Sequence, residues 1–178
     1  MKIVGNIIAG IIMVLAIQGC KTDNTKHEAI TEQVSAAKEL VIKGQVSVPL
    51  PEAYEKVILE ENSMVITAEK YTVVYRWIEQ QEIEFIGSNK SPYDFFESVF
   101  NNPTSDEEKR FLEGLQYEVK RANSLNSLNF YYFDNGRGRQ IYILSEALSF
   151  VVEVTYRGEA YHHYIDSVIK HSKLSYSE

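Results

Sequence analysis

The one cysteine of the chain, Cys20, stands just after an uninterrupted apolar run of eleven residues, Ile7 to Ile17 (IIAGIIMVLAI), that follows Lys2. With no second cysteine there is no disulfide, so whatever folds must be held by its own core. At about 1.5 Å per helical residue the run is roughly half of what a ~30 Å hydrocarbon core requires, which argues against a permanent span. It has the length and the position of the apolar centre of a secretory leader, and residues 1–19 are set apart from fold reasoning.

The residues around the cysteine, Leu15-Ala16-Ile17-Gln18-Gly19-Cys20, resemble the bacterial lipoprotein signal, with an aliphatic residue three before Cys and a small one just before it. Gln18 departs from the small or hydroxyl residue usual at its place. The resemblance implies a thioether-linked lipid on Cys20, cleavage before it, acylation of the new amino terminus and a palmitate-type chain. Several acyl chains at ~0.8 kcal/mol per buried CH₂ give stable anchoring. Lys21, where an Asp would signal inner-membrane retention, implies the periplasmic face of the outer membrane in an organism with two membranes.

Eighteen Lys and Arg against 25 Asp and Glu give a net charge of −7, and −8 once Lys2 leaves with the leader. No basic block offers a phosphate-tracking surface, so nucleic acid is not an expected partner. The same charge disfavours flat adsorption on anionic lipid, leaving the lipid on Cys20 as the membrane contact. The roughly 159 residues after the leader can bury about 68–70% of their unfolded surface, enough for one domain.

Lys21 to Gly44 is polar except for Ile30, Val34, Ala37 and Val41, whose spacing also suits one helical stripe; the segment reads as a tether or as a short amphipathic helix. From Gln45 the pattern turns to β: Val46–Leu50, Lys56–Leu59, Met64–Thr67, Tyr71–Ile78 and Glu82–Ile86 are predicted strands. In Tyr71-Val73-Tyr75-Trp77 the large residues recur at every second position, which makes Trp77 core. Ser91-Pro92 starts a helix with Tyr93, Phe96, Val99 and Phe100 on its stripe, and Ser105-Asp106-Glu107-Glu108 opens another that carries Phe111, Leu112, Leu115 and Val119. Ala122 to Asn126 reads as a polar link. Leu128–Phe133 and Gln140–Leu144 flank Asp134-Asn135-Gly136-Arg137-Gly138, a hairpin turn. Leu148–Tyr156 reads as a strand with one buried and one mostly wet face, and Gly158 opens a last helix with Tyr161, Tyr164, Ile165 and Val168 inward.

Val46-Ser47-Val48-Pro49-Leu50-Pro51-Glu52-Ala53-Tyr54 is similar to the opening strand of the PsbP-like superfamily, which includes the DcrB-like bacterial lipoproteins; Ala53-Tyr54 replaces the usual Gly-Trp. Ile165 to Leu174 resembles its closing helix and short Ser-x-aliphatic extension. The resemblance covers Val46 to Leu174 and implies an α+β fold, an αβα sandwich in which helices pack on an antiparallel sheet. Such a sandwich would also accommodate the adjacent pair Tyr131-Tyr132, one of which faces each side. Members serve as docking or assembly factors, and function does not transfer with the fold. The expected organisation is thus a signal peptide over 1–19, lipidated Cys20 and tether over 20–44, and a single domain over 45–178.

His162, His163, Asp166 and His171 are the one group with the composition of a metal or acid–base site, but His163 and His171 lie two turns apart, about 12 Å along a helix, too far to share an ion. Ser167 beside Asp166 lacks the G-x-S-x-G turn of a hydrolase. Neither a metal, a cofactor nor a catalytic residue is therefore expected. Gly136-x-Gly138 is a hairpin turn rather than a phosphate loop, its Arg137 and Arg139 are expected to be solvated, and that loop is a candidate partner contact. The expected function is that of a non-enzymatic, lipid-anchored envelope protein binding a protein partner or a small envelope ligand. The alternatives are an immunity lipoprotein neutralising a periplasmic toxin and an envelope hydrolase or metal-dependent enzyme.

Overall fold

The alternating segment Tyr71–Ile78 becomes the third strand of a seven-stranded antiparallel sheet in the computed structural model, which describes residues 38–115, 117–125, 127–134, 138–159 and 161–175. In chain order the elements are β1 (Glu39–Ile42), β2 (Val46–Pro49), β3 (Lys56–Leu59), β4 (Ser63–Ala68), β5 (Tyr71–Ile78), α1 (Gln80–Ile86), α2 (Pro92–Asn101), α3 (Asp106–Leu115), β6 (Lys120–Leu125), β7 (Leu128–Asp134), β8 (Gly138–Leu144), β9 (Val151–Gly158), α4 (Tyr161–His171) and β10 (Lys173–Leu174). The large sheet runs β3-β4-β5-β9-β8-β7-β6, and a small antiparallel sheet runs β1-β2-β10.

Both faces of the large sheet are covered, because side chains alternate along each strand. Val73, Tyr75, Trp77, Ile141, Ile143, Val152 and Val154 face one way and pack with Ile165 and Val168 of α4 and with Ile42, Val46 and Val48 of the small sheet. Tyr131, Phe133, Tyr142, Leu144 and Val151 face the other way and pack with Ile83, Phe95, Phe96 and Val99 of α1 and α2. The result is the α+β fold, an αβα sandwich, read from the sequence. The two faces also separate Tyr131, in the α1–α2 cluster, from Tyr132, packed on the α4 side.

Several expected elements differ. Glu82–Ile86 is part of a helix, not a strand: Ile83 and Ile86 three residues apart share its inner face, and Gly87, at φ 100°, closes it in the left-handed conformation that favours glycine. Ala122–Leu125 is not a link but part of Lys120–Leu125, the edge strand β6, where polar side chains are tolerated; Asn126 lies outside the described residues. The sheet structure starts before Gln45, since Glu39–Ile42 pairs with β2 in register Glu39↔Pro49 to Ile42↔Val46. The Val41 expected on a helical stripe is therefore a strand residue, 54% exposed on the outer side of β1. Strand β9 begins at Val151, later than Leu148, and Gly158 ends it rather than opening α4. Its second face is graded: α1 and α2 cover Val151, Glu153 and Thr155 are half-buried, and Arg157 is exposed. Helix α3 stops at Leu115, and Val119 packs on the same cluster from beyond it.

The expected capping geometries are present. Ser91 Oγ accepts from Asp94 N at 3.1 Å ahead of Pro92, and Ser105 and Glu108 each accept from the other's backbone N–H, at 3.3 and 3.1 Å. Tyr75 of β5 and Tyr164 of α4 both donate to the Pro49 carbonyl, at 3.2 and 2.8 Å, which ties the closing helix to the opening strand. Burial pushes both phenols above the usual range.

Candidate functional site

The β7–β8 hairpin places Asp134 directly opposite Arg139, and the two join through a fork, Nε to Oδ1 at 2.6 Å and Nη2 to Oδ2 at 3.1 Å. Arg139 Nη2 also lies 2.9 Å from His162 Nδ1, and Asp166 Oδ1 stands 3.7 Å from Nη1. The guanidinium carbon sits 4.8 Å above the centroid of the Tyr132 ring. Since an arginine only donates, His162 Nδ1 accepts, and a neutral ring carries its proton on Nε2. The hydrogen bond from Arg139 holds the Asp134 carboxyl below its usual range, with burial opposing it.

Arg139 is thus not solvated, as the turn alone implied, but buried at 9% exposure. Strand alternation accounts for this: Arg139 shares a face with Ile141 and Ile143, which point at α4. Arg139 fastens the hairpin to the first turn of α4. The structure therefore brings together Arg139, His162 and Asp166 from the sequence-level candidates, and adds Asp134 and Tyr132. His162, His163 and His171 are all exposed. Cys20 and Arg137 lie outside the described residues. Among the described residues, no group of three or more His, Cys, Asp and Glu is placed to hold a metal ion, and no helix is long and apolar enough to cross a membrane.

A second cluster was not anticipated. Arg76 of β5 donates to Glu82 of α1 at 2.7 Å and lies 3.7 Å from Glu153 of β9. Gln140 of β8 donates to Glu153 at 2.5 Å and to the Tyr142 hydroxyl at 2.8 Å. Burial raises the Glu153 carboxyl, with Arg76 opposing. The unrecognised helix at Gln80–Ile86 is what covers this strip, and the spacing of Ile83 and Ile86 after Gln80-Gln81-Glu82 was its available signal.

A third cluster ties α2 to α3. The fully buried Glu108 carboxylate accepts from Lys90 Nζ at 2.5 Å, Thr104 N at 2.7 Å, Ser98 Oγ at 2.8 Å and Ser105 N at 3.1 Å. Burial alone would raise this carboxyl; the donors outweigh it and bring it to about 2. Beneath lies an aromatic layer in which Phe96 stacks on Tyr142 at 5.1 Å and Phe100 on Tyr131 at 4.8 Å. All three clusters bind elements of the chain to one another.

No protein-family model and no curated protein matches the chain. Among solved structures, LpqN, involved in cell envelope biogenesis of Mycobacterium tuberculosis, is similar over 74% of this chain and 83% of that one, at 11% identity and a TM-score of 0.36. So loose a superposition carries no argument about family or function, and the αβα description rests on this chain's own geometry.

Proposed function

We propose that this chain is a lipid-anchored cell-envelope protein, acylated on Cys20, that acts by binding a protein partner or a small envelope ligand rather than by catalysis. The observation that carries the reading is the place of the one cysteine, directly after an apolar run too short to span a bilayer. Strand β1 starts nineteen residues later, at Glu39, and a chain of that length can reach at most about 65 Å. The order of strands and helices from Val46 to Leu174 supports placing the domain among the PsbP-like proteins, DcrB-like lipoproteins included.

Binding in place of catalysis is favoured because the polar groups of the Arg139, Glu153 and Glu108 clusters are engaged with other groups of the chain. In the hairpin loop proposed as a partner contact, Arg139 is committed to Asp134 and supports the loop; direct contact would fall to Arg137. Mass spectrometry of the protein from its native envelope tests the anchor. The expected result is Cys20 as amino-terminal residue bearing a thioether-linked lipid, found with the outer membrane where two membranes exist. Cys20→Ala should release the protein or leave its leader attached, and an unmodified Cys20 thiol in the mature protein overturns the reading.

A further inference from the structure

We propose that the outer face of the α1–α3 layer docks a basic protein segment, with Phe85 as the apolar anchor. The inference rests on the reading of the chain as a binding protein and names the chemistry of its partner. Phe85 is 91% exposed, although the same helix buries Ile83 completely. An aromatic ring held in water on an ordered element gains from any contact that covers it, and such rings at the centre of an interface carry much of its affinity.

Charge identifies what would cover it. Residues 79–118 hold ten Asp and Glu against three Lys and Arg, which leaves the remaining residues balanced at fifteen of each. The segment's formal charge of −7 thus equals that of the whole chain. Part of it is compensated: Glu108 is paired with Lys90, Glu107 with Arg110, Glu82 with Arg76 of β5 and Glu79 with Lys43. Glu84, Asp94, Asp106 and Glu113 are exposed, and α1 has no basic residue in its last turn. The acidic first turn of α3 adjoins the end of α1, since a Cβ added at Gly87 would stand 3.6 Å from Glu107 Cγ. Phe85 accordingly projects from a surface whose field attracts cations and repels anionic lipid, and a Lys- or Arg-rich polypeptide with an apolar side chain for the ring meets both features.

Site-specific photo-crosslinking tests this in cells carrying the full-length protein, with benzoylphenylalanine placed in turn at positions 85, 65 and 163. Val65 lies half-exposed on β4, one strand in from the β3 edge of the sheet, and His163 on α4, so the three report different positions on the surface. Position 85 should crosslink to a peptide with an excess of Lys and Arg, with a yield that falls at least severalfold in about 0.5 M salt. Glu84→Lys, with residue 85 still the crosslinker, should lower the yield as well. Crosslinks from 65 or 163 but not from 85 overturn this inference while leaving a binding function standing. A crosslink from 85 to lipid, to a second copy of this chain or to a neutral or acidic segment overturns it also. Absence of crosslinks at all three positions overturns this inference, and the proposed function is then judged by the analysis of Cys20 alone.

Discussion

Lys90 Nζ stands 2.5 Å from Oε1 of the buried Glu108, so a cation from the α1–α2 connection neutralises the carboxylate that caps α3. Removing that carboxylate leaves the Thr104 and Ser105 N–H groups without their acceptor. Glu108→Ala should lower the unfolding free energy by about 2–4 kcal/mol, the sum expected for a lost cap and unsatisfied donors, as read by urea unfolding at neutral pH.

The same group gives the fold an acid limb. Its folded carboxyl titrates at about 2 against an ordinary 4.5, so the unfolded chain binds its proton first as the pH falls. The stabilisation is therefore complete above the ordinary value and is lost progressively as the pH drops from about 4.5 towards 2. Unfolding curves should show the wild-type protein losing stability more steeply than Glu108→Gln below that point, and parallel curves would count against it.

Arg139→Lys should not behave as a conservative change. Lysine cannot reproduce the fork to Asp134 while reaching His162, and the loss should be about 1.5–3 kcal/mol. Asp134→Asn should cost a similar amount, and the double variant less than the two together, because both remove one interaction.

The three histidines of α4 are all exposed and should separate by partner. His163→Gln and His171→Gln, both exposed, should each change stability by no more than about 0.5 kcal/mol. His162→Ala should cost about 1 kcal/mol through the bond to Arg139. Thermal unfolding of the three single variants gives the comparison.

Strand β1 should be needed for stability. A chain starting at Lys38 should unfold cooperatively, whereas one starting at Gln45 loses the buried Ile42 and the Glu39 carboxylate that accepts from Lys173 at 3.1 Å. The shorter chain should be less stable by about 3–5 kcal/mol, with earlier denaturant midpoints as the measure.

Local signals were legible wherever the chemistry is local. Tyr71-Val73-Tyr75-Trp77, Ser91-Pro92 and Ser105–Glu108 each state a period or a cap within a few residues, and the strand and both helices are where those patterns put them. Glu82–Ile86 and Ala122–Leu125 depart from the expected strand and link because short segments lack periodicity: seven helical residues give two turns, and an edge strand tolerates polar residues. Of the candidate site residues, Arg139 was found but its setting was not, since a turn signal at Asn135-Gly136 outweighed the alternation from Ile141 and Ile143 that turns it inward.

By itself the sequence determined the absence of a disulfide, the apolar run before Cys20, the strand and helix periods and the cap residues, all properties of neighbours along the chain. The tertiary structure alone decided that Arg139 meets His162 across 23 positions, that Arg76 meets Glu153 across the sheet, and that the acidic helices lie together on one face with Phe85 outward. The reason is that a residue's surroundings depend on which strands pair and which helix covers them, and those pairings are set by burying both faces of one sheet at once rather than by any local preference.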